Sequence, residues 1–169
     1  MTVTTVSCDN EMVMNTETRS SLGGLSPGAR WAGFLGLMPF LLALGLVTVG
    51  GRAGFASLGL QIALAWGAVI LTFIAAVHWG LALSGRWPWT LATIVASTLP
   101  SVVGALAVVV GGDRGIALLI AGFGLFWLFE HRHRADALPS DYLSLRRFLT
   151  VGVCALLVFT AFASSGVAA

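Results

Sequence analysis

The sequence predicts an all-α integral membrane protein, a bundle of about five transmembrane helices with its N-terminus cytoplasmic and its C-terminus periplasmic. Three observations carry this reading. Of 169 residues, 57% are hydrophobic and only 9% charged, whereas a water-facing domain covers itself with roughly 25% charged residues. The apolar residues fall into five long runs bounded by Arg, Gly or Pro. All nine basic residues are arginines, and they collect between alternate runs.

Residues 1–29 come first, a polar stretch rich in Ser and Thr that carries Asp9, Glu11, Glu17 and Arg19. It lacks the basic start and apolar centre of a cleaved signal peptide, and its acids argue against a transit peptide. Such a composition predicts a disordered tail. The spans follow near 31–49, 58–83, 89–110, 115–129 and 148–164. About 20 apolar residues are needed to cross the hydrocarbon, and the first three runs reach that length. The fifth is shorter but uninterrupted, and the fourth is confined by Asp113–Arg114 and Glu130.

The arginines decide for the fourth span. With five spans, Arg19, Arg30, Arg86, Arg132, Arg134, Arg146 and Arg147 share one side, and Arg52 and Arg114 the other. Without it the nine divide six to three. The positive-inside rule favours the sharper split and puts the seven in the cytoplasm of a multi-pass protein.

Small residues indicate how the helices meet. In the third span Thr90, Thr93, Ser97, Ser101 and Gly104 recur at steps of three and four. Gly33, Gly36 and Ala43 line a face of the first, Ala63 and Gly67 of the second, and Ala117, Ala121 and Gly124 of the fourth. Helices in lipid associate through close backbone approach, so these stripes predict seams. Pro39 and Pro100 interrupt the backbone ladder and free the carbonyls of Leu35 and Ala96. Each is read either as a hinge or ligand-facing carbonyl, or as a kink that a neighbour such as Ser97 or Ser101 satisfies.

His78 is read as the only ionisable side chain within a span, on the same face as Ala63, Gly67 and Ile74. An intramembrane ionisable group is a functional candidate. The structural alternative is a boundary histidine beside the interfacial Trp79, bonded to a neighbouring helix through Thr90 or Thr93. His131 and His133 flank Arg132, but no Cys or carboxylate completes a ligand spacing, so no metal is predicted. The stretch 130–147 reads as a charged loop whose Glu130, Asp136, Asp141 and four arginines could pair internally, bind anionic lipid headgroups or dock a partner, a solvated, lipid-anchoring face being the commoner outcome. Cys8 and Cys154 are expected to stay unpaired. Catalytic residues and a cofactor are not predicted, because no nucleophile elbow or phosphate-cradling loop is present. The small net charge of +2 argues against nucleic acid as a partner.

Several strings go further. Gly36-Leu37-Met38-Pro39-Phe40, Trp66-Gly67-Ala68-Val69-Ile70-Leu71 running on to His78-Trp79-Gly80, and Leu99-Pro100-Ser101 resemble the transmembrane protein 69-like family, a domain of unknown function. The run Leu138-Pro139 to Tyr142-Leu143 and Leu145-Arg146 fits the same pattern. Asp141 departs from it, since the family often has an aromatic residue there. The resemblance covers roughly residues 30–162. It implies several membrane helices in an energy-coupling membrane, here a bacterial inner membrane, and supplies no reaction.

The expectation from these readings is a non-enzymatic inner-membrane protein. It would act as an accessory or assembly factor, through contacts with the bilayer and with a larger membrane complex. The alternative is a small transporter or a binder of a hydrophobic cofactor or lipid. The residues singled out for either role are His78, Trp79, Thr93, Ser97, Pro100, Ser101, Tyr142 and Arg146.

Overall fold

The structure, a computed structural model, describes residues 27–49, 54–134 and 140–167. The tail before residue 27 with Cys8, Arg52, Asp136 and the Leu138-Pro139 pair lie outside the described residues. Within them the chain is all helical: α1 (Pro27–Leu35), α2 (Met38–Thr48), α3 (Ala56–Leu83), α4 (Leu91–Val110), α5 (Gly112–Arg134) and α6 (Ser140–Val167). α1 and α2 together make the first of five spans long and apolar enough to cross a membrane. The others are Ala56–Leu83, Leu91–Val110, Gly112–Arg132 and Asp141–Ser165.

The exterior fits that solvent. Phe73, Leu91, Val109, Leu125 and Phe162 are each 67–82% exposed, a surface that would aggregate in water and costs nothing against acyl chains. The core is built from α3, which touches α2, α4, α5 and α6. Its inward face holds Gly59, Ala63, Gly67, Leu71, Ala75, His78 and Ala82.

Local sequence explains each break. Pro39 in the first turn of α2 cannot donate to the ladder, so the first span divides at Gly36–Leu37. The Phe40 amide bonds to Leu37 instead. The carbonyl that finds an outside donor is that of Gly36, one residue beyond the expected Leu35: the Trp66 indole Nε1 donates to it at 2.9 Å. After α3, Gly85 adopts φ +70°, the left-handed conformation that ends helices. The Arg86 and Trp87 amides then fold back onto the Leu81 carbonyl. Thr90 restarts the chain as the N-cap of α4, its hydroxyl accepting from the Thr93 amide at 3.2 Å. Gly111 and Gly112, at φ +67° and +54°, join α4 to α5 with almost no loop.

Pro100 is buried inside α4, which continues through it. The Ser97 hydroxyl donates to Ile94 at 2.9 Å, not to the Ala96 carbonyl that the proline frees, and Ser101 is only half-buried.

The small-residue seams form where backbones touch. A Cβ added at Gly104 would lie 3.1 Å from the Ala68 Cα, and one at Gly59 would lie 2.7 Å from the Ala43 carbonyl oxygen. The expected α5 seam is overturned. Ala117, Ala121 and Gly124 face outward, and the inward face carries Gly115, Ile116, Leu119, Phe123, Phe126 and Glu130. The larger residues win this face because they fill the space between α3, α4 and α6, which a row of alanines would leave as voids.

Candidate functional site

The supposed loop at 130–147 is the main correction. α5 extends to Arg134 and α6 starts at Ser140, so Glu130 and Arg146 belong to membrane helices, and His78 is not alone. Glu130 ends a buried series at 116, 119, 123, 126 and 130. Arg146 begins another at 146, 153, 157 and 160. Steps of three, four and seven put each series on one helical face. α5 and α6 run antiparallel, as Ser164 donating to Asp113 Oδ1 at 3.0 Å marks at the far end. The near end therefore brings Glu130 and Arg146 together.

They form an ion pair, Arg146 Nε donating to Glu130 Oε2 at 2.8 Å, with side chains 8% and 1% exposed. The pair is one-armed: Glu130 Oε1 and Arg146 Nη2 have no hydrogen-bond partner among the described residues. The Arg146 guanidinium carbon lies 5.3 Å from the centre of the Phe126 ring, which gives the cation a second, weaker contact.

Phe126 links this pair to His78. The imidazole is fully buried and meets the Phe126 ring edge-on at 5.2 Å and the Trp87 ring at 5.1 Å, with Phe129 at 6.5 Å. The Gly85 reversal is what turns Trp87 inward to cover it. His78 thus lies in an aromatic cage rather than at a wet boundary. Trp79, its neighbour, points away and packs edge-on against Trp89 at 5.3 Å. Thr93 is buried near the same end, its hydroxyl donating to Pro88 at 3.2 Å and 3.0 Å from that of Thr90. His131 is exposed and stacked on Trp127 at 5.3 Å. No group of three metal-ligating side chains gathers among the described residues.

Arg146 also lines a cavity of about 420 Å³ between α1, the Gly36–Leu37 turn, α3, α5 and α6. Its wall is mostly apolar, with Gly36, Ile70, Phe73 and Phe123 opposite Tyr142, Arg146 and Thr150. On the other side of the pair, Glu130 lines a smaller space of about 220 Å³ with Trp127, His131, Ser144 and Arg147. A wider groove of about 590 Å³ bounded by Arg30, Trp31 and Asp141 lies nearby, but its polar residues are exposed.

Of the residues singled out from sequence, Tyr142 and Arg146 line the cavity, and His78 is joined to Arg146 through Phe126. Ser97, Pro100 and Ser101 lie along α4, outside the cavity wall. The sequence marks Glu130 only as a boundary charge of the fourth span, and it does not single out Trp87, Phe126 or Phe129. The three-and-four spacing that runs on through Glu130 was the available signal for the acid, whereas nothing local marks the cage.

The imidazole predicts a measurable effect. His78→Gln keeps a polar amide but loses the ring contacts, each worth about 0.5–1.5 kcal/mol. The variant should insert at normal abundance and unfold in detergent at a lower temperature. His78→Phe, which keeps a ring, should recover most of that loss if packing is the whole role of the residue. A phenylalanine variant that is stable yet fails to complement a deletion strain would assign His78 a chemical role.

Fold and site define a class: a multi-pass helical bundle with a buried ion pair beside an apolar cavity. The chain belongs to the family described as "Protein of unknown function (DUF3429)", whose model matches residues 25–162. No match was found among curated proteins or among solved structures.

Proposed function

We propose that this protein holds a hydrophobic ligand between its helices, as a non-enzymatic binder or small carrier. The observation that supports this best is the cavity of about 420 Å³ with Arg146 in an otherwise largely apolar wall. Ligand sites are typically concave, mostly apolar, and equipped with a few polar groups that fix orientation. A buried cation in a membrane helix is expensive and is retained where it serves such a pathway or site. The purified protein, extracted with organic solvent and examined by mass spectrometry, should release one enriched lipid-soluble species. Release of bulk lipids in membrane proportions would count against the reading.

A second reading keeps the accessory role. Ala117, Ala121 and Gly124 form an outward small-residue stripe flanked by Leu118 and Leu125, a shape suited to a helix of a larger inner-membrane complex. Ala121→Leu should then abolish a stoichiometric co-purifying subunit without changing membrane abundance.

The orientation proposed with either reading is a cytoplasmic N-terminus and a periplasmic C-terminus in a bacterial inner membrane. The arginine asymmetry supports it. A reporter fused after Gly85 should be cytoplasmic and one after Gly112 periplasmic. Within the family, the helix and loop strings favour the transmembrane protein 69-like group.

A further inference from the structure

We infer that the cavity beside Arg146 selects a neutral, lipid-soluble compound with a ring carbonyl, of the quinone type, over an anionic lipid. This rests on the ligand-binding reading and adds the chemistry of the ligand.

Charge decides first. Arg146 is the charged residue in the cavity wall among the described residues, and Glu130 already neutralises it at 2.8 Å. A carboxylate or phosphate entering here would have to displace Glu130 or add an uncompensated buried negative charge, and both are costly in a low dielectric. A cation would meet the guanidinium. A neutral acceptor meets neither penalty.

Hydrogen bonding decides next. Arg146 Nη2 is buried with no partner among the described residues and is closed off from the cavity as the side chains stand, so a carbonyl oxygen would meet it on a small rotation of the guanidinium and remove the standing cost of an unmet buried donor. The guanidinium carries no acceptor, so the ligand must supply one. A saturated acyl chain supplies none.

The wall decides the shape. Phe123 and Tyr142 contribute aromatic rings to the wall, and the lipid-exposed Phe73 stands at its mouth; aromatic faces and edges favour a flat ring over a flexible chain. A space of about 420 Å³ lies within the usual range for a single small ligand, roughly 300–1,000 Å³. A ring with its first tail carbons fits, and the rest of the tail would extend into lipid.

The test uses the full chain in mild detergent with three probes of nine- or ten-carbon tails: decyl-benzoquinone, decanoate and decylbenzene. Equilibrium dialysis should give saturable quinone binding, with both other probes weaker by about tenfold or more, a 1.4 kcal/mol difference. Thr150→Phe, which fills the cavity one helical turn from Arg146, should weaken the quinone by a similar factor at unchanged membrane abundance. The charge-free pair Glu130→Gln/Arg146→Gln should weaken it without improving decanoate. Tighter decanoate binding would overturn the neutral-ligand inference and leave ligand binding standing. Decylbenzene binding as tightly as the quinone would remove the role of the carbonyl. If no probe saturates and Thr150→Phe changes nothing, the ligand-binding reading falls as well.

Discussion

Glu130→Leu alone should be among the most damaging single substitutions in this protein, and Glu130→Leu/Arg146→Met should be far milder. The ion pair is buried at 1% and 8% side-chain exposure. Removing the acid leaves the guanidinium in the bundle beside the Phe126 ring and without its counter-charge. Breaking a buried pair in this way costs on the order of 3–5 kcal/mol, whereas replacing both partners with apolar residues of similar volume is often neutral or stabilising. The bilayer tempers the number, because in the unpacked state Arg146 lies near a helix end and can snorkel to the interface. Thermal unfolding of the two variants in detergent, completed by Arg146→Met to close the cycle, measures the coupling. Equal loss in the single and double variants would show that the pair contributes shape and not charge.

Gly115→Ala should be the worst glycine substitution among the seams, ahead of Gly67→Ala. The space is tight at both, but the obstacles differ. At Gly115 a new Cβ would run into the carbonyl oxygen of Ala107, with Leu64 Cδ2 also at 2.9 Å. A backbone carbonyl cannot rotate aside, so α5 must move away from α4. At Gly67 the obstacle is Leu119 Cδ1 at 2.5 Å, the end of a flexible side chain that can change rotamer. Overpacking costs typically 1–3 kcal/mol, and alanine returns about 1 kcal/mol of helix propensity. A net loss of about 2 kcal/mol is expected at Gly115 and close to zero at Gly67. Gly67→Leu should again be severe, since one rotamer change no longer makes room. Leu83→Ala should be nearly silent, because Leu83 is 67% exposed. Unfolding midpoints in one detergent rank the four. If Gly115→Ala matched Leu83→Ala, the close approach of α4 and α5 would be wrong.

These two results bear on the parts of the molecule that the sequence conveyed least. Composition and run length by themselves determined five helical segments able to span a membrane, because insertion into hydrocarbon is a local property of each segment. The inward face of α3 was equally legible: Ala63, Gly67 and His78 share one helical phase and are all buried. Proline also announced the break in the first span.

The interior chemistry was not local. Glu130 and Arg146 looked like loop charges because helix ends are hard to place when polar residues flank an apolar run. Their pairing depends on α5 and α6 being antiparallel neighbours. The cage around His78 required Gly85 to turn Trp87 back and α5 to supply Phe126 and Phe129, from positions about 50 residues apart in the chain. The stripe of Ala117, Ala121 and Gly124 satisfied every sequence rule for a seam and still faces outward. A small-residue face permits close packing, but which face a helix turns inward is set by all its neighbours at once, and on α5 the rings and the acid filled the interior better.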